Sequence, residues 1–206
     1  MYIVKAEANQ IEKIVDMSVR AFETDVNVGG AKDDCPPGFD SVEWHEQMAR
    51  EGHLYQAMIE KDLVGAAIIF QDETNNSVYI GRIFIDSVYH RKGYGIRLME
   101  CIEKNFPCAA EFTLDTPSWN ERTNAFYKRL GYRIIKIEDG FVFYRKKKKP
   151  VRSIVLAALH DRDFVGNDIP VIKIFQSGHC AHLPFSARHN TTGVYKSPEK
   201  KNRSGK

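Results

Sequence analysis

The chain offers little to disulfide chemistry. Its four cysteines, Cys35, Cys101, Cys108 and Cys180, form no C-x-x-C pair and no framework spacing, a usage that suits a reducing cytoplasm. No uninterrupted apolar run reaches the roughly 18 residues of a membrane helix, and the opening MYIVKAEANQ has no apolar signal core. The expected location is therefore cytoplasmic, without a membrane partner. Familiar nucleotide signatures are missing too. There is no G-x-x-x-x-G-K-[ST], and the lone G-x-G at Gly93 and Gly95 has Leu98 where a Rossmann loop has its third glycine. His179, Cys180, His182 and His189 show no ligand spacing and no accompanying carboxylate, so no metal site is expected. No internal repeat is visible.

What is present divides unevenly. The 206 residues carry a net charge of +3, but residues 1–146 hold 18 Lys+Arg against 23 Asp+Glu, giving −5, while residues 147–206 hold 12 against 4, giving +8. The basic balance belongs to the tail, whose lysines read as solvated charge rather than as the aromatic-interleaved groove a nucleic acid wants. Nucleic acid is not an expected partner. KKKKP at 146–150 marks the composition shift, and the expected organisation is one domain over 1–146 followed by a basic extension, 147–206, that is partly disordered.

Within 1–146 the apolar spacing alternates between strand and helix periods. Residues 2–6 read as a strand and 9–22 as a helix, with Ile11, Ile14, Val15, Ser18 and Phe22 on one face. Gly, Pro and Asp make 26–40 a long loop. A second helix, to Arg50, begins at Asp40 or Ser41, either of which can cap it. Strands at 54–59 and 63–70 form a hairpin, 71–77 is a polar turn, and 78–85 is a central strand. After it come a helix ended by Pro107, a strand at 111–116, a helix over 120–130 stopped at Gly131, and a hairpin of 132–137 with 141–145. The order β-α-α-β-β-β-α-β-α-β-β describes an α+β or α/β domain with a mixed sheet.

Residues 83–99 join an apolar strand, a turn, a basic glycine-bearing loop and an amphipathic helix, an order that makes a candidate anion site. The first N–H groups of a helix lack internal partners and the peptide dipoles place about half a positive charge there. Glycines at 93 and 95 let a ligand approach the backbone, and Arg91 and Lys92 add full charges. From this segment alone, a purely structural role for the glycines is an equal alternative.

A second segment changes the balance. HRKGYGIRLM, residues 90–99, resembles the acyl-CoA-binding motif of the GNAT acetyltransferase family, [QR]-x-x-G-x-[GA]. NERTNAFYKRLGY, residues 120–132, resembles that family's second signature, N-x-x-A-x-x-F-Y-x-x-x-G-[FY], through Asn120, Tyr127, Gly131 and Tyr132. The element order over 1–146 resembles the family as well. It implies an α+β fold of three-layer type, with a mixed, mostly antiparallel central sheet flanked by helices. The sequence departs from the pattern at His90, where Gln or Arg is usual, and at Thr123, where a small apolar residue is common.

The resemblance implies transfer of an acetyl group from acetyl-CoA to an amine, by direct attack in a ternary complex and without a metal. In the family the pyrophosphate contacts would fall to His90, Arg91, Lys92, Gly93, Tyr94, Gly95 and Ile96, and the pantetheine would pair with main-chain groups of Phe84 and Ile85. Asn120 would also contact the coenzyme. Tyr127 would be the acid for the departing thiolate, although helix periodicity alone reads it as a core residue. A His at position 90 would make CoA affinity pH-sensitive.

No carboxylate lies on 78–85, where Tyr79 and Gly81 hold the relevant face, so the base stays open among Asp86, Asp115, Asp33, Asp34, Glu43 and a water relay. The acceptor is expected to be a small-molecule or peptide amine, drawn by Asp33 and Asp34 of the long loop, with Trp44 and His45 at the opening. Family habit leaves a homodimer open. The rival reading is a catalytically weak acyl-CoA-binding sensor or partner-binding module.

Overall fold

Residues 1–31 and 34–148 are described by a computed structural model. The sequence periodicities become β1 (Tyr2–Lys5), α1 (Ile11–Phe22), α2 (Val42–Arg50), β2 (Leu54–Ile59), β3 (Asp62–Asp72), β4 (Ser77–Ile85), α3 (Tyr94–Asn105), β5 (Glu111–Pro117), α4 (Glu121–Arg129), β6 (Arg133–Glu138) and β7 (Phe141–Lys147). A 3-10 turn, Glu23–Val28, continues from α1 into what the sequence suggested was loop. The extension from residue 149 onward lies outside the described residues, as do His179, Cys180, His182 and His189. No helix among the described residues is long and apolar enough to cross a membrane.

The strands form one sheet in the order β1-β2-β3-β4-β5-β7-β6. Every neighbouring pair is antiparallel except β4–β5, which is parallel. Helices cover both faces. One core joins Leu98, Met99 and Ile102 of α3 and Tyr127 of α4 to Val78, Ile80, Phe112 and Leu114. The other joins Ile14, Val15 and Met17 of α1 and Met48 of α2 to Leu54, Ile68 and Phe84. Each such large apolar side chain, taken fully from water, stabilises the fold by roughly 2 kcal/mol before chain entropy is counted. This is the mixed three-layer α+β architecture.

Local chemistry starts and stops the helices where the site needs them. Ser41 caps α2 by accepting the Trp44 N–H at 3.1 Å, and Asn120 caps α4 by accepting the Thr123 N–H at 3.1 Å. Gly131, at φ 84°, takes the left-handed conformation that turns the chain out of α4. The α3 helix is different: it begins on Gly93 at φ 77° with no side-chain cap.

Two irregularities shape the middle of the sheet. The β3–β4 register shifts between Ile68 opposite Arg82 and Ile69 opposite Ile80, so Gly81 is an extra residue bulged out of β4. Above it, β3 presses on β4 at Gly65. A Cβ there would lie 2.2 Å from the Phe84 carbonyl oxygen and 2.9 Å from Ile85 Cα. Only glycine permits that approach.

Candidate active site

The site begins where a ladder ends. Strands β4 and β5 pair at Ser77 with Glu111, Val78 with Phe112 and Tyr79 with Thr113, and then separate. Both strands run on, β4 to Ile85 and β5 to Pro117, leaving a wedge-shaped opening between their C-terminal halves. Main-chain groups of β4 that would have met β5 are thereby left for another partner.

Phe84 and Ile85 reach this opening differently. The Phe84 carbonyl is turned toward Gly65 of β3, and its side chain is buried against Phe22, ring centroids 5.9 Å apart. Ile85 turns its main-chain groups the other way, as alternation along a strand requires. Its carbonyl accepts a hydrogen bond from His90 Nε2 at 2.8 Å. Because a carbonyl can only accept, that ring nitrogen carries the hydrogen. His90 thus ties the basic loop back to the end of β4 with one ring nitrogen, and only Nδ1 faces elsewhere.

Beyond His90 the backbone takes positive φ at Arg91 (60°) and Gly93 (77°) and enters α3. Arg91, Lys92 and Gly93 lie exposed. Lys92 Nζ sits 5.3 Å from the Tyr89 ring centre and the Arg97 guanidinium 5.7 Å from that of Tyr94. With no cap on α3, the N–H groups of Tyr94, Gly95 and Ile96 open the helix beside this cationic loop, the chemistry that a pyrophosphate fits. Gly95 lies against α4, where an added Cβ would meet the Phe126 ring at 3.5 Å.

Across the opening stands Tyr127. Its ring is buried against Tyr132 and Tyr144, at 6.0 and 5.8 Å, so the periodicity reading of a core residue holds for the ring. No hydrogen bond to another described residue engages its hydroxyl. Burial first, then the negative charge of Asp115, then Tyr144, raise its pKa, keeping the phenol protonated at neutral pH.

Asp115 itself lies on β5 two residues past the last paired position, on the face opposite Tyr127's core. There it accepts a hydrogen bond from the Tyr79 hydroxyl across the opening. Tyr79 is the only hydrogen-bond partner of its carboxylate among the described residues. Burial and then the Asp115 charge raise the Tyr79 pKa as well.

The other carboxylates fall elsewhere. Asp86 is 3% exposed and is bound by Arg20 at 2.6 and 3.2 Å. Burial alone would raise its pKa, but the Arg20 hydrogen bonds, the Val88 N–H and the charges of Arg20 and His90 together hold it below the ordinary value. Asp34 is exposed and closes a local turn with Ala31 at 3.0 Å, and Asp33 lies outside the described residues. Glu43 is exposed in the first turn of α2 beside Ser41.

On the expected acceptor face, Trp44 packs between Gly38 and the Arg82 guanidinium, which is 4.4 Å from the indole centre and also donates to the Pro37 carbonyl at 2.8 Å. His45 does not line an opening. It is 0% exposed, hydrogen-bonded through Nδ1 to the Ser41 carbonyl at 2.8 Å, and burial lowers its pKa. Asn120, at 2% exposure, is spent on capping α4. The Tyr79–Asp115 pair was not legible as a pair, because its two members come from strands that share only a short ladder.

Residues 13–132 match the model of the acetyltransferase (GNAT) family. No curated protein matches the sequence. Solved structures share the fold. The PaiA N-acetyltransferase of Thermoplasma acidophilum in complex with coenzyme A is 15% identical, with 71% of this chain and 98% of that one covered at a TM-score of 0.63. A GNAT-family acetyltransferase from Listeria monocytogenes is 21% identical, with 71% and 94% covered and a TM-score of 0.56. The ribosomal-protein-S18-alanine N-acetyltransferase of Escherichia coli is 17% identical, with 70% and 92% covered and a TM-score of 0.54.

Proposed function

The chain belongs to the GNAT acetyltransferase family, and from that premise we propose that it is an N-acetyltransferase carrying the acetyl group of acetyl-CoA to a cationic amine. The observation that carries the reading is the opening between β4 and β5, with Tyr127 on one side and the Tyr79–Asp115 pair on the other. Acetyl-CoA, when bound, supplies the activated acyl group. The residues supply the rest.

The uncapped start of α3, with Arg91 and Lys92, holds the pyrophosphate. Main-chain groups of Ile85, turned away from β3, pair with the pantetheine amides as an added strand would. Phe84 supports this edge from the β3 side. Asp115, steadied by Tyr79, attracts the acceptor's ammonium group and takes one proton from it, so that the nitrogen lone pair is free to attack. Tyr127 gives a proton to the departing sulfur. The nitrogen sheds its second proton as the amide forms, and the turnover releases one proton to solvent overall. Loop residues 34–40, held on β4 by Arg82 and Trp44, shape the acceptor side.

A thiol-release screen across a panel of primary amines tests this, with Tyr127→Phe beside the wild type. The expected result is release with at least one amine class and a kcat lower by about 100-fold in the variant, with the acetyl-CoA KM little changed. Acetyl-CoA binding without thiol release from any amine would instead favour a binding module, and an unchanged kcat would remove Tyr127 from the chemistry.

A further inference from the structure

Strands β4 and β5 part, yet something joins them again beyond their ends. The end of α1 is fixed beside the end of β4 by the Arg20–Asp86 ion pair, so the turn Glu23–Val28 starts at that point. The α4 helix starts just after the end of β5. Between these two segments, Asp25 Oδ1 and Arg122 Nη2 form an ion pair at 2.5 Å, and the same nitrogen lies 3.3 Å from Thr24 Oγ1.

Further contacts support the junction. The Gly30 N–H donates to the Asp25 carbonyl at 3.0 Å, and Gly30 presses on Trp119 so closely that a Cβ would sit 2.7 Å from the indole edge. The opening is thus bounded at its base by the ladder Ser77–Tyr79, while past the strand ends, at its mouth, the Asp25–Arg122 clasp joins the segment after α1 to the start of α4. The Asp25 side chain is 22% exposed and that of Arg122 43%, so solvent partly screens this pair.

We propose that the Asp25–Arg122 clasp fixes the width of the opening and thereby sets how fast acetyl-CoA enters and leaves. The proposal rests on the acetyl-CoA reading above. Asp25 and Arg122 act here as positioning residues. With the mouth tied, the two strands can separate further only by straining the short ladder at the base. With it untied, they can hinge there, and the segment 23–30 loses its attachment to α4.

The test uses the full chain. Acetyl-CoA dissociation is measured by rapid displacement for wild type, Asp25→Asn, Arg122→Met, the double variant and Arg122→Lys, and hydrogen exchange of the Glu23–Val28 amides is measured without ligand. Each single variant is expected to speed dissociation about tenfold and the double variant no further, because both remove one shared interaction. Arg122→Lys, which keeps the charge, falls between. The amides of the turn exchange faster in the same order.

Dissociation within twofold of wild type in both singles overturns the clasp, as does a double variant whose effect is the product of the singles. A merely structural loss would show as equal melting-temperature shifts without that non-additivity. A wild type that binds no acetyl-CoA would sink the functional reading and the clasp together, whereas binding with unaltered dissociation sinks the clasp alone.

Discussion

Strand β4 has two neighbours and meets them on unequal terms. With β3 it is paired from Gly65 opposite Ile85 to Asp72 opposite Ser77, bulge included; with β5 it is paired only from Ser77 to Tyr79. The continuous side holds the fold together, since its main-chain groups are satisfied and both its faces are packed. The interrupted side leaves β4 backbone groups without a β5 partner and brings side chains from distant segments to one place. Stability and chemistry thus sit on opposite edges of the same strand. Substitutions on the β5 side should change turnover and leave melting alone, whereas substitutions on the β3 side should do the reverse.

The largest expected effect is on the β5 side. Asp115→Asn keeps the shape and the Tyr79 hydrogen bond but cannot accept a proton, so kcat/KM for the amine should fall about 1000-fold while the thermal midpoint and acetyl-CoA affinity hold. Retained turnover would send the proton to water and erase the division of labour. On the β3 side, Gly65→Ala pushes a methyl group into the Phe84 carbonyl. Its stability in denaturant should drop by about 3 kcal/mol; a loss below about 1 kcal/mol would mean that the two strands can move apart cheaply.

The Arg20–Asp86 pair, which pins α1 to the end of β4, should matter less. Asp86 is nearly buried but Arg20 is 43% exposed, so Arg20→Met should cost about 2 kcal/mol rather than the larger cost of breaking a fully buried pair. The sign with pH follows from the depressed Asp86 pKa. Its contribution is complete above the ordinary carboxylate value, near 4, and fades as pH falls through the lower folded value. Acid titration of stability should therefore be shallower in Asp86→Asn than in wild type. Parallel curves would assign the acid sensitivity elsewhere.

How much of this could be read in the sequence depended on whether the information was local. The order of elements, the Ser41 cap, the Gly131 stop and the loop into α3 each rest on residues close together in the chain, and each was legible. Tyr127 was legible through its motif, although periodicity alone could not separate ring from hydroxyl. What escaped depends on which distant segments meet. Asp115 was one open candidate among several until Tyr79 was found beside it. Asn120 reads as a coenzyme contact in its motif yet is buried as a cap, and His45 reads as a pocket residue yet is fully enclosed. Gly65 gave no signal at all, since its role is set by a carbonyl on another strand.

The smallest effects should come from the two motif glycines, and they should have opposite signs. Gly93 sits at φ 77° with open space where a side chain would go. An alanine there meets no clash, only the backbone penalty of a left-handed conformation, about 1 kcal/mol. It would also place a methyl group on the surface left for the pyrophosphate, so acetyl-CoA affinity should fall with stability. Gly95 lies within α3, and its added Cβ would touch the Phe126 ring at an ordinary 3.5 Å. There alanine removes the entropy cost of a helical glycine and gains a contact, so stability should rise by about 0.5–1 kcal/mol. Paired melting and titration of the two variants would separate conformation from packing within one short loop; the same sign in both would mean that the beginning of α3 answers to one constraint, not two.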